Sequence, residues 1–424
     1  MVAAFAFAET LRDNLQLITL DIQLNENSAR ISRLKRASYQ VSKRFQDRYG
    51  RDTSQISNVL SKRDTLLSEM NNTLNSMYTT KIVVGSRGQS VNVVLDTGSS
   101  DTWIRGQNCT LRHKSSKSNS CAGNRFDPTL DQSFKPLFKT FSQSYGTGYI
   151  EGQVYNGRLT FGKQNVSLTL GLADTMDRFP PSFSIDGIVG FGFQSNSAIA
   201  IRNELNPDST DVMLQLQNAI NGSKRMVGFY FSDYQNRDKG QVTFGGVDAS
   251  RIDPTDNMTF YPVLQSIPMT HWMIDFSNTT FKVGNLSFPG NIDYPTAVVD
   301  TGATLTLLDQ MTAFRIHDSL NAKYDNKTGV FIFPNCSTIG KPNVELQLGK
   351  RTFQITPQSY VLPSPNPKIP CFSAISFAST ANVDLTLNFV LIGQALFRDY
   401  YTLYDAENLR VGFVKAKHPL KVLQ

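Results

Sequence analysis

One short motif occurs twice in this chain, and its repetition constrains the fold more than any other feature. Val-Leu-Asp-Thr-Gly spans residues 94–98, and Val-Val-Asp-Thr-Gly spans residues 298–302, which is 204 residues later. A single Asp-Thr-Gly arises by chance in about one chain in ten of this length, whereas two copies with matching apolar flanks do not. Each copy is therefore predicted to be a buried strand that runs into a carboxylate in a glycine turn.

The spacing after each copy indicates an internal duplication. An apolar pair followed by glycine ends at Gly190, 94 residues after Asp96, and a similar group ends at Gly393, 93 residues after Asp300. Two copies of one unit can pack around a pseudo-twofold axis and bring one carboxylate from each half together. We therefore expect Asp96 and Asp300 to share a site.

Further motifs, in the same order along the chain, resemble the pepsin-like aspartic proteases. These motifs lie at residues 96–103, 145–148, 185–190, 245–248, 299–302 and 391–413. The resemblance covers residues 78–415, and the Ser-Ser-Asp-Thr-Trp variant at 99–103, closely followed by two cysteines, is most similar to secreted fungal members. It implies an all-β, bilobal pepsin-like fold with two pseudo-symmetric β-rich lobes, a few short helices and an N-terminal prosegment.

The resemblance and the local composition together predict the domain organisation. We expect a partial signal peptide at 1–8, a basic prosegment at 9–63, an N-terminal lobe at 64–253 and a C-terminal lobe at 254–424. Ala-Phe-Ala at residues 6–8 is typical of a signal cleavage site, with an ordinary apolar start as the alternative. The lobe boundary rests on the family analogy and on the break at Asp253-Pro254.

Local patterns favour a β-rich protein with few helices. Short β-branched or aromatic runs at 91–95, 241–244 and 400–404 predict strands. One helix is predicted at about 210–221, with Thr210 or Asp211 as its N-cap and Gly222 beyond its end. A second is predicted at about 309–321, beginning at Asp309. Only 18% of the residues are charged, which suits an extracellular protein.

Four cysteines predict disulfides and an oxidising compartment. They allow three connectivities, and the short loops and the family resemblance favour Cys109 with Cys121 and Cys336 with Cys371. The four histidines are scattered and no Cys-x-x-Cys pair occurs, so neither a metal site nor a cofactor is expected.

Nine Asn-x-Ser/Thr sequons favour a eukaryotic secretory route. They lie at Asn71, Asn108, Asn165, Asn221, Asn257, Asn278, Asn285, Asn326 and Asn335. No run approaches the length of a membrane span, and the polar C-terminus does not resemble an anchor signal. We therefore expect a soluble, secreted glycoprotein, with a vacuolar location as the alternative.

A basic leader precedes the duplicated body. Eight Lys or Arg and one acid lie between Arg30 and Arg51, whereas residues 64–424 carry 31 basic and 29 acidic side chains. The nearly balanced body gives no support to nucleic-acid binding. Prosegments of pepsin-like zymogens cover the cleft and place a cation against the catalytic carboxylates, so this leader is the expected intramolecular inhibitor. The candidate inhibitory cations are Lys35, Arg36, Lys43 and Arg44.

Lys62-Arg63 is the expected processing site, which would start the mature chain at Asp64. Lys43-Arg44 is an alternative site, and absence of either cut is the other alternative. The apolar run at 17–22 is predicted to form a strand that pairs with the body before the basic segment.

The resemblance assigns roles around the two carboxylates. Asp96 and Asp300 are the expected catalytic pair, in which the ionised partner activates a water and the protonated partner polarises the scissile carbonyl. The expected supporting residues are Thr97, Gly98, Ser99, Thr301 and Gly302. The expected substrate-binding residues are Tyr145, Gly146, Thr147, Trp103 and Thr304. Tyr145 is expected to lie on a flap and to accept a hydrogen bond from the indole N–H of Trp103. For these two aromatic residues, simple packing is the alternative role.

Two departures from the family pattern carry predictions. Ala303 lies where many relatives have a hydroxyl, so Asp300 lacks a donor to its charged form and a less acidic optimum is expected. Thr147 lies where some fungal relatives carry an aspartate that accepts a substrate lysine. Large apolar or aromatic residues are therefore expected around the scissile bond.

Three functional classes compete at this point. The favoured one is an acid endopeptidase made as a zymogen, acting on protein or peptide substrates. A catalytically inactive binding or inhibitor-like member of the same fold is the alternative, and the intact Asp96, Asp300, Ser99 and Tyr145 argue against it. A viral-type protease that must dimerise is disfavoured because both motifs lie in one chain, so a monomer is expected.

Overall fold

The computed structural model describes residues 65–112, 121, 123–145, 148–177, 185–233, 238–266, 268–290, 295–364, 368–377 and 389–419. The predicted signal segment, the prosegment with its strand and cations, and Lys62-Arg63 lie outside these residues. Gly146 and Thr147 lie outside them as well.

The described residues form mainly β-strands. Those before the predicted lobe boundary are β1 (Leu66–Thr73), β2 (Met77–Val84), β3 (Gln89–Asp96), β4 (Trp103–Leu111), β5 (Lys135–Tyr145), β6 (Gly148–Phe161), β7 (Gln164–Asp177), β8 (Gly187–Gly190), β9 (Met226–Tyr230) and β10 (Gly240–Phe244). Those after it are β11 (Thr259–Pro262), β12 (Met273–Asp275), β13 (Thr280–Val283), β14 (Leu286–Pro289), β15 (Thr296–Val299), β16 (Thr306–Leu308), β17 (Lys323–Asp325), β18 (Val330–Ile332), β19 (Val344–Leu348), β20 (Arg351–Ile355), β21 (Val361–Pro363), β22 (Cys371–Ser373), β23 (Ile375–Phe377), β24 (Val390–Ile392), β25 (Tyr400–Asp405) and β26 (Arg410–Lys415). The strands predicted at 91–95, 241–244 and 400–404 are confirmed as parts of β3, β10 and β25.

One large sheet extends across both halves of the described chain. Its strand order is β11-β26-β25-β9-β10-β1-β2-β3-β8-β4-β7-β6-β5. The later half also forms the sheets β12-β15-β24-β16-β23, β14-β13-β19-β20 and β17-β18-β22-β21. Because β9 pairs with β25, the last strands of the chain join a sheet built mostly from the first half.

The two Asp-Thr-Gly motifs end equivalent strands in equivalent sheets. In the first half β3 runs parallel to β8, which is antiparallel to β4, and β4 runs parallel to β7. In the second half β15, β24, β16 and β23 repeat these three relations in the same order. The repeat confirms the predicted bilobal, pseudo-symmetric fold.

Gly190 and Gly393 make this close strand packing possible. A Cβ on Gly190 would lie 2.6 Å from the carbonyl carbon of Ser100, and one on Gly393 would lie 2.3 Å from the carbonyl oxygen of Leu305. Real side chains do not tolerate such approaches, so both positions require glycine. The matched spacing in the sequence therefore reflects the contact of each glycine with the segment after its own motif.

The helices are short and lie between strands. They are α1 (Ala198–Asn203), α2 (Val212–Ala219), α3 (Gln310–Ser319), α4 (Pro357–Tyr360) and α5 (Gln394–Phe397), with 3-10 turns at Pro128–Leu130, Gln194–Asn196, Pro207–Thr210 and Ala249–Arg251. Both predicted helices are confirmed, as α2 and α3. Asp211 caps α2 by accepting from Leu214 N, and Asp309 caps α3 by accepting from Thr312 N, whereas Thr210 ends a 3-10 turn instead.

Apolar side chains of the strands beside the two motifs form a continuous core. Val93, Val189, Phe229, Val299 and Ile392 belong to it and are all at most 2% exposed. Burial of each such side chain contributes about 1.5–3 kcal/mol. The core thus fixes the strands that carry both carboxylates.

Two disulfides stabilise the fold. Cys109 pairs with Cys121 and Cys336 with Cys371, which confirms the predicted pairing. In the described part of the chain, no helix is long and apolar enough to cross a membrane.

Candidate active site

The two motif loops are joined by a reciprocal set of hydrogen bonds. Thr97 N donates to Thr301 Oγ1 at 3.0 Å, and Thr301 N donates to Thr97 Oγ1 at 2.9 Å. Each hydroxyl then donates to a carbonyl of the opposite strand, Thr97 to Val299 at 3.0 Å and Thr301 to Leu95 at 2.8 Å. Both threonines are at most 2% exposed. This buried network sets the distance between the loops that carry Asp96 and Asp300.

Each motif glycine packs against the carboxylate of the opposite loop. A Cβ on Gly98 would lie 2.4 Å from Asp300 Oδ2, and one on Gly302 would lie 2.5 Å from Asp96 Oδ1. Each glycine N–H also donates to the aspartate of its own loop at 2.8 Å. The structure thus brings Asp96 and Asp300 together, and glycine is the residue that permits this approach.

The two carboxylates have different donors. Ser99 Oγ donates to Asp96 Oδ2 at 2.5 Å, whereas Asp300 receives backbone N–H groups of Gly302 and Ala303. Burial, then the charge of Asp96 and the hydrogen bond between the two carboxyls, raise the pKa of Asp300 well above its usual range. Asp300 is therefore expected to keep its proton to higher pH than an ordinary aspartate, so that the pair shares one proton.

Tyr145 lies at the end of β5, beside this pair. Trp103 Nε1 donates to its hydroxyl at 2.9 Å, so the hydrogen bond expected between the two aromatics is present. Burial and the charges of Asp96 and Asp101 raise the pKa of Tyr145 well above its usual value, and Ser99 also hydrogen-bonds it. The phenol therefore stays neutral, and it links Trp103 to the Ser99–Asp96 hydrogen bond.

Thr304 does not expose its hydroxyl. The side chain is 4% exposed and donates to the carbonyl of Ser76 at 2.5 Å. Its position ties the second motif loop to the start of β2, and its substrate-binding role stays a prediction.

Three residues near the site were not predicted from the sequence. Tyr404 is fully buried, donates to the Val299 carbonyl at 3.4 Å and hydrogen-bonds Thr97. Asp101 accepts from Ser197 Oγ at 2.5 Å and from Ala198 N at 2.7 Å, and burial raises its pKa to about 6. The third, His271, is half-buried. Burial lowers the pKa of its imidazole, and the charge of Asp96 opposes this effect.

These residues carried no usable local signal. Tyr404 lies in an aromatic strand in which nothing distinguishes it from its neighbours. The hydrogen-bond partners of Asp101, which are Ser197 and Ala198, come from a distant segment of the chain.

This arrangement suits general acid–base chemistry on a bound water. One ionised and one protonated carboxyl in contact can accept a proton from the water and donate one to an electrophile. Across the described residues, no three His, Cys, Asp or Glu side chains are grouped so as to hold a metal ion.

Comparison with known proteins agrees with this geometry. The family model for eukaryotic aspartyl proteases matches residues 77–416. The chain is 27% identical to a vacuolar aspartic protease of Candida albicans, over 82% of this chain and 77% of that protein. It is 27% identical to vacuolar protease A of Aspergillus fumigatus, with coverage of 85% and 83%, and 27% identical to gastricsin of Oryctolagus cuniculus, with coverage of 80% and 81%.

Proposed function

This chain belongs to the eukaryotic aspartyl proteases, and we propose that Asp96 and Asp300 are the catalytic pair of this aspartic-type endopeptidase. The observation that supports the assignment best is the reciprocal packing of Gly98 and Gly302 against the opposite carboxylates. Peptide bonds of proteins or peptides are its substrates. A catalytically inactive member of the same fold would not need to keep each glycine packed so closely against the opposite carboxylate.

The different surroundings of the two carboxyls support a different proposed role for each in the reaction. Asp96, which accepts from Ser99, acts as the general base and removes a proton from the attacking water. Asp300, which is protonated, donates to the oxygen of the scissile carbonyl. The water oxygen bonds to the carbonyl carbon and gives an intermediate with two hydroxyls. The proton taken by Asp96 then passes to the leaving amine as the C–N bond breaks, while Asp300 takes back a proton from one of those hydroxyls as the carbonyl of the acid product forms. No covalent enzyme intermediate forms.

Peptide cleavage at acid pH, inhibited by pepstatin, is the direct test. We expect Asp96→Asn and Asp300→Asn each to reduce kcat/KM at least about a thousandfold, because neither amide can exchange the required proton. Asp318→Asn is the matched control, since this exposed residue of α3 lies outside the site. Peptide binding without any cleavage by the wild-type protein would favour the inactive alternative.

The basic leader is proposed to keep the enzyme inactive until it is removed. A cation against the ionised dyad is favourable at neutral pH and loses its partner when the dyad is protonated in acid. Processing after Arg63 is compatible with the fold, because β1 begins at Leu66, which pairs with Phe244 of β10. A cut there leaves the whole strand in the sheet.

Two measurements test this proposal. N-terminal sequencing of the active protein should give Asp64, and Lys62→Gln with Arg63→Gln should block that cut. Neutralising Lys35, Arg36, Lys43 and Arg44 one at a time should identify the inhibitory cation by premature activity near neutral pH. An active full-length chain at neutral pH would refute the zymogen proposal.

We propose that the protein enters the secretory pathway and is delivered either to the cell exterior or to the vacuole. All nine sequon asparagines are exposed, which is what N-glycosylation requires. Two of the similar fungal proteins are named vacuolar proteases. Glycosidase treatment of the protein from its own cells should lower its apparent mass, and an unchanged mass would contradict the proposal.

Large apolar or aromatic residues are the proposed preference around the scissile bond, because Thr147 replaces an acidic acceptor for lysine. A peptide library cleaved at acid pH tests this preference. Comparable cleavage after lysine would contradict it.

A further inference from the structure

A cavity lies where β4 separates from its neighbour β7. The two strands pair up to Arg105 and again from Thr110, and between these points four residues of β4, 106–109, are opposite the single residue Asp174 of β7. Extra residues on one strand leave the ladder and bend that strand away from its partner. Residues 106–108 of this irregular stretch border a cavity of about 260 Å³.

Polar side chains make up most of the wall of this cavity. They are Gln107 and Asn108 of β4, Asp127 and Thr129 at a 3-10 turn, Tyr155 of β6 and Asp174 of β7. The volume is below the about 300 Å³ at which pockets for drug-sized ligands begin, and it is far larger than one water molecule needs. The cavity therefore suits one small polar ring better than a peptide segment.

Two of these side chains have hydrogen-bonding capacity that the protein does not use. Within the part of the chain that the structure describes, neither the carboxyl of Asp174 nor the hydroxyl of Tyr155 has a hydrogen-bond partner, and both side chains are half-buried. Burial raises the pKa of Asp174, and burial together with the charge of Asp174 raises the pKa of Tyr155. An occupant that donates to the carboxyl and accepts from the phenol would satisfy both groups.

Asn108 can supply such an occupant. It begins the sequon Asn-Cys-Thr at 108–110, its side chain is exposed, and it lines the cavity. The first sugar of an N-linked glycan is N-acetylglucosamine, an uncharged ring with hydroxyl groups, an amide and apolar C–H faces. Its hydroxyls can donate to Asp174 and accept from Tyr155, and a C–H face can pack on the tyrosine ring. The covalent bond to Asn108 keeps the sugar beside the cavity at a high effective concentration.

A metal ion is a poorer match for this cavity. Across the described residues, no three His, Cys, Asp or Glu side chains are grouped so as to hold one. In addition, one oxygen of Asp127 already accepts from the N–H and the hydroxyl of Thr129, at 2.9 and 2.6 Å. The free groups therefore favour an uncharged ligand that forms hydrogen bonds.

We propose that the cavity beside β4, β6 and β7 is a binding site for the first N-acetylglucosamine of a glycan on Asn108. This inference rests on the proposed passage through the secretory pathway. The bound sugar fills the gap left by the irregular pairing of β4 with β7, and it fastens the disulfide-bonded end of β4 to the sheet. Asn285, which is exposed in the turn between β13 and β14, is the reference sequon for the tests.

Peptide N-glycosidase, which cuts the bond between asparagine and the first sugar, tests whether that sugar is bound in the cavity. Two net hydrogen bonds favour the bound sugar about tenfold or more. In the native protein, release from Asn108 should therefore be at least about tenfold slower than release from Asn285. Asp174→Ala should speed release from Asn108 and leave release from Asn285 unchanged, which separates the cavity from steric hindrance by the nearby disulfide. Equal native rates at the two asparagines, or an unchanged rate at Asn108 in Asp174→Ala, would overturn the inference.

Urea unfolding at neutral pH measures what the sugar contributes to stability. Thr110→Ala removes the sequon and keeps Asn108, whereas Thr110→Ser keeps both. Thr110→Ala should unfold at lower urea concentration than Thr110→Ser, and this difference should be larger in glycosylated protein than in protein made without glycosylation. Endoglycosidase H, which leaves the first sugar of a high-mannose glycan in place, should not change the midpoint. The same difference between the two variants in both preparations would contradict the inference.

Failure of the inference is distinguishable from failure of the proposed secretory route. Unmodified asparagines at all nine sequons would refute the route, and this inference with it. Sugar at other sequons in a protein whose Asn108 is unmodified would overturn this inference alone.

Discussion

A buried histidine should make this aspartic protease less stable in acid. His317 of α3 is fully buried and stacks on Phe331 with ring centroids 3.7 Å apart. Its Nδ1–H donates to the Ala313 carbonyl at 2.6 Å, and Nε2 has no partner in the part of the chain that the structure describes. Protonation would place a charged N–H in an apolar site. Burial therefore lowers the pKa of His317 to about 3, against the smaller effect of the Ala313 hydrogen bond.

The direction and size of the stability loss follow from the difference in proton binding between the folded and unfolded chains. The unfolded chain protonates this histidine near pH 6.5, whereas the folded chain does so only near pH 3. Below pH 6.5 the unfolded state therefore binds more protons, and stability is lost as the pH falls towards 3. Each pH unit in this window costs about 1.4 kcal/mol. At pH 4 the loss relative to pH 7.5 reaches about 3 kcal/mol.

Replacing His317 by leucine removes this titration. At pH 7.5 the variant loses one hydrogen bond, worth about 1 kcal/mol, and no longer buries an unpaired nitrogen. At pH 4 it should be more stable than its parent. The difference in unfolding free energy between pH 7.5 and pH 4 should shrink by about 3 kcal/mol, because leucine carries no proton in either state.

Urea unfolding at a series of pH values measures this difference. Both proteins should carry Asp96→Asn, which prevents self-digestion. Met311→Gln, on the exposed side of the same helix, is the matched control and should leave the pH dependence unchanged. If His317→Leu loses as much stability between pH 7.5 and pH 4 as its parent, the reasoning is refuted.

Three further predictions concern the dyad. Ala303→Thr should move the acid limb of kcat/KM to lower pH, because a hydroxyl would stabilise charged Asp300; an unmoved limb would contradict this. Gly302→Ala should lower kcat/KM at least about a hundredfold, since its Cβ would lie 2.5 Å from Asp96 Oδ1, and near-normal turnover would be inconsistent with that contact. Tyr404→Phe should cost about 1 kcal/mol in urea unfolding and lower kcat a few-fold, because Val299 loses one of two hydroxyl donors; an unchanged midpoint would argue against the bond.

Local signals predicted the parts of the molecule that depend on neighbouring residues. The two glycine turns, the strands leading into them and the caps at Asp211 and Asp309 all rest on contacts within a few positions. The duplicate spacing to Gly190 and Gly393 added one long-range relation, because the same packing requirement is repeated in both halves.

The surroundings of two histidines could not be predicted from the sequence. In the sequence, His271 and His317 are isolated residues with no motif around them. Their environments come from other segments: the ring of Phe389 is 6.4 Å from that of His271, and Phe331 of β18 stacks on His317. The strand order of the large sheet was equally inaccessible, because the pairing of β9 with β25 depends on the tertiary arrangement.

The sheet shared by the two ends of the chain has a consequence for the timing of synthesis. β1 is among the first described strands to leave the ribosome, yet β25 and β26, which complete the same sheet beyond β9, are the last. The edge of β9 that pairs with β25 therefore stays unpaired on a nascent chain until residues 400–405 have been synthesised. A growing polypeptide that already carries Asp96 cannot cut its neighbours, because the second carboxylate, Asp300, follows 204 residues later and the strands that fasten the halves together follow later still.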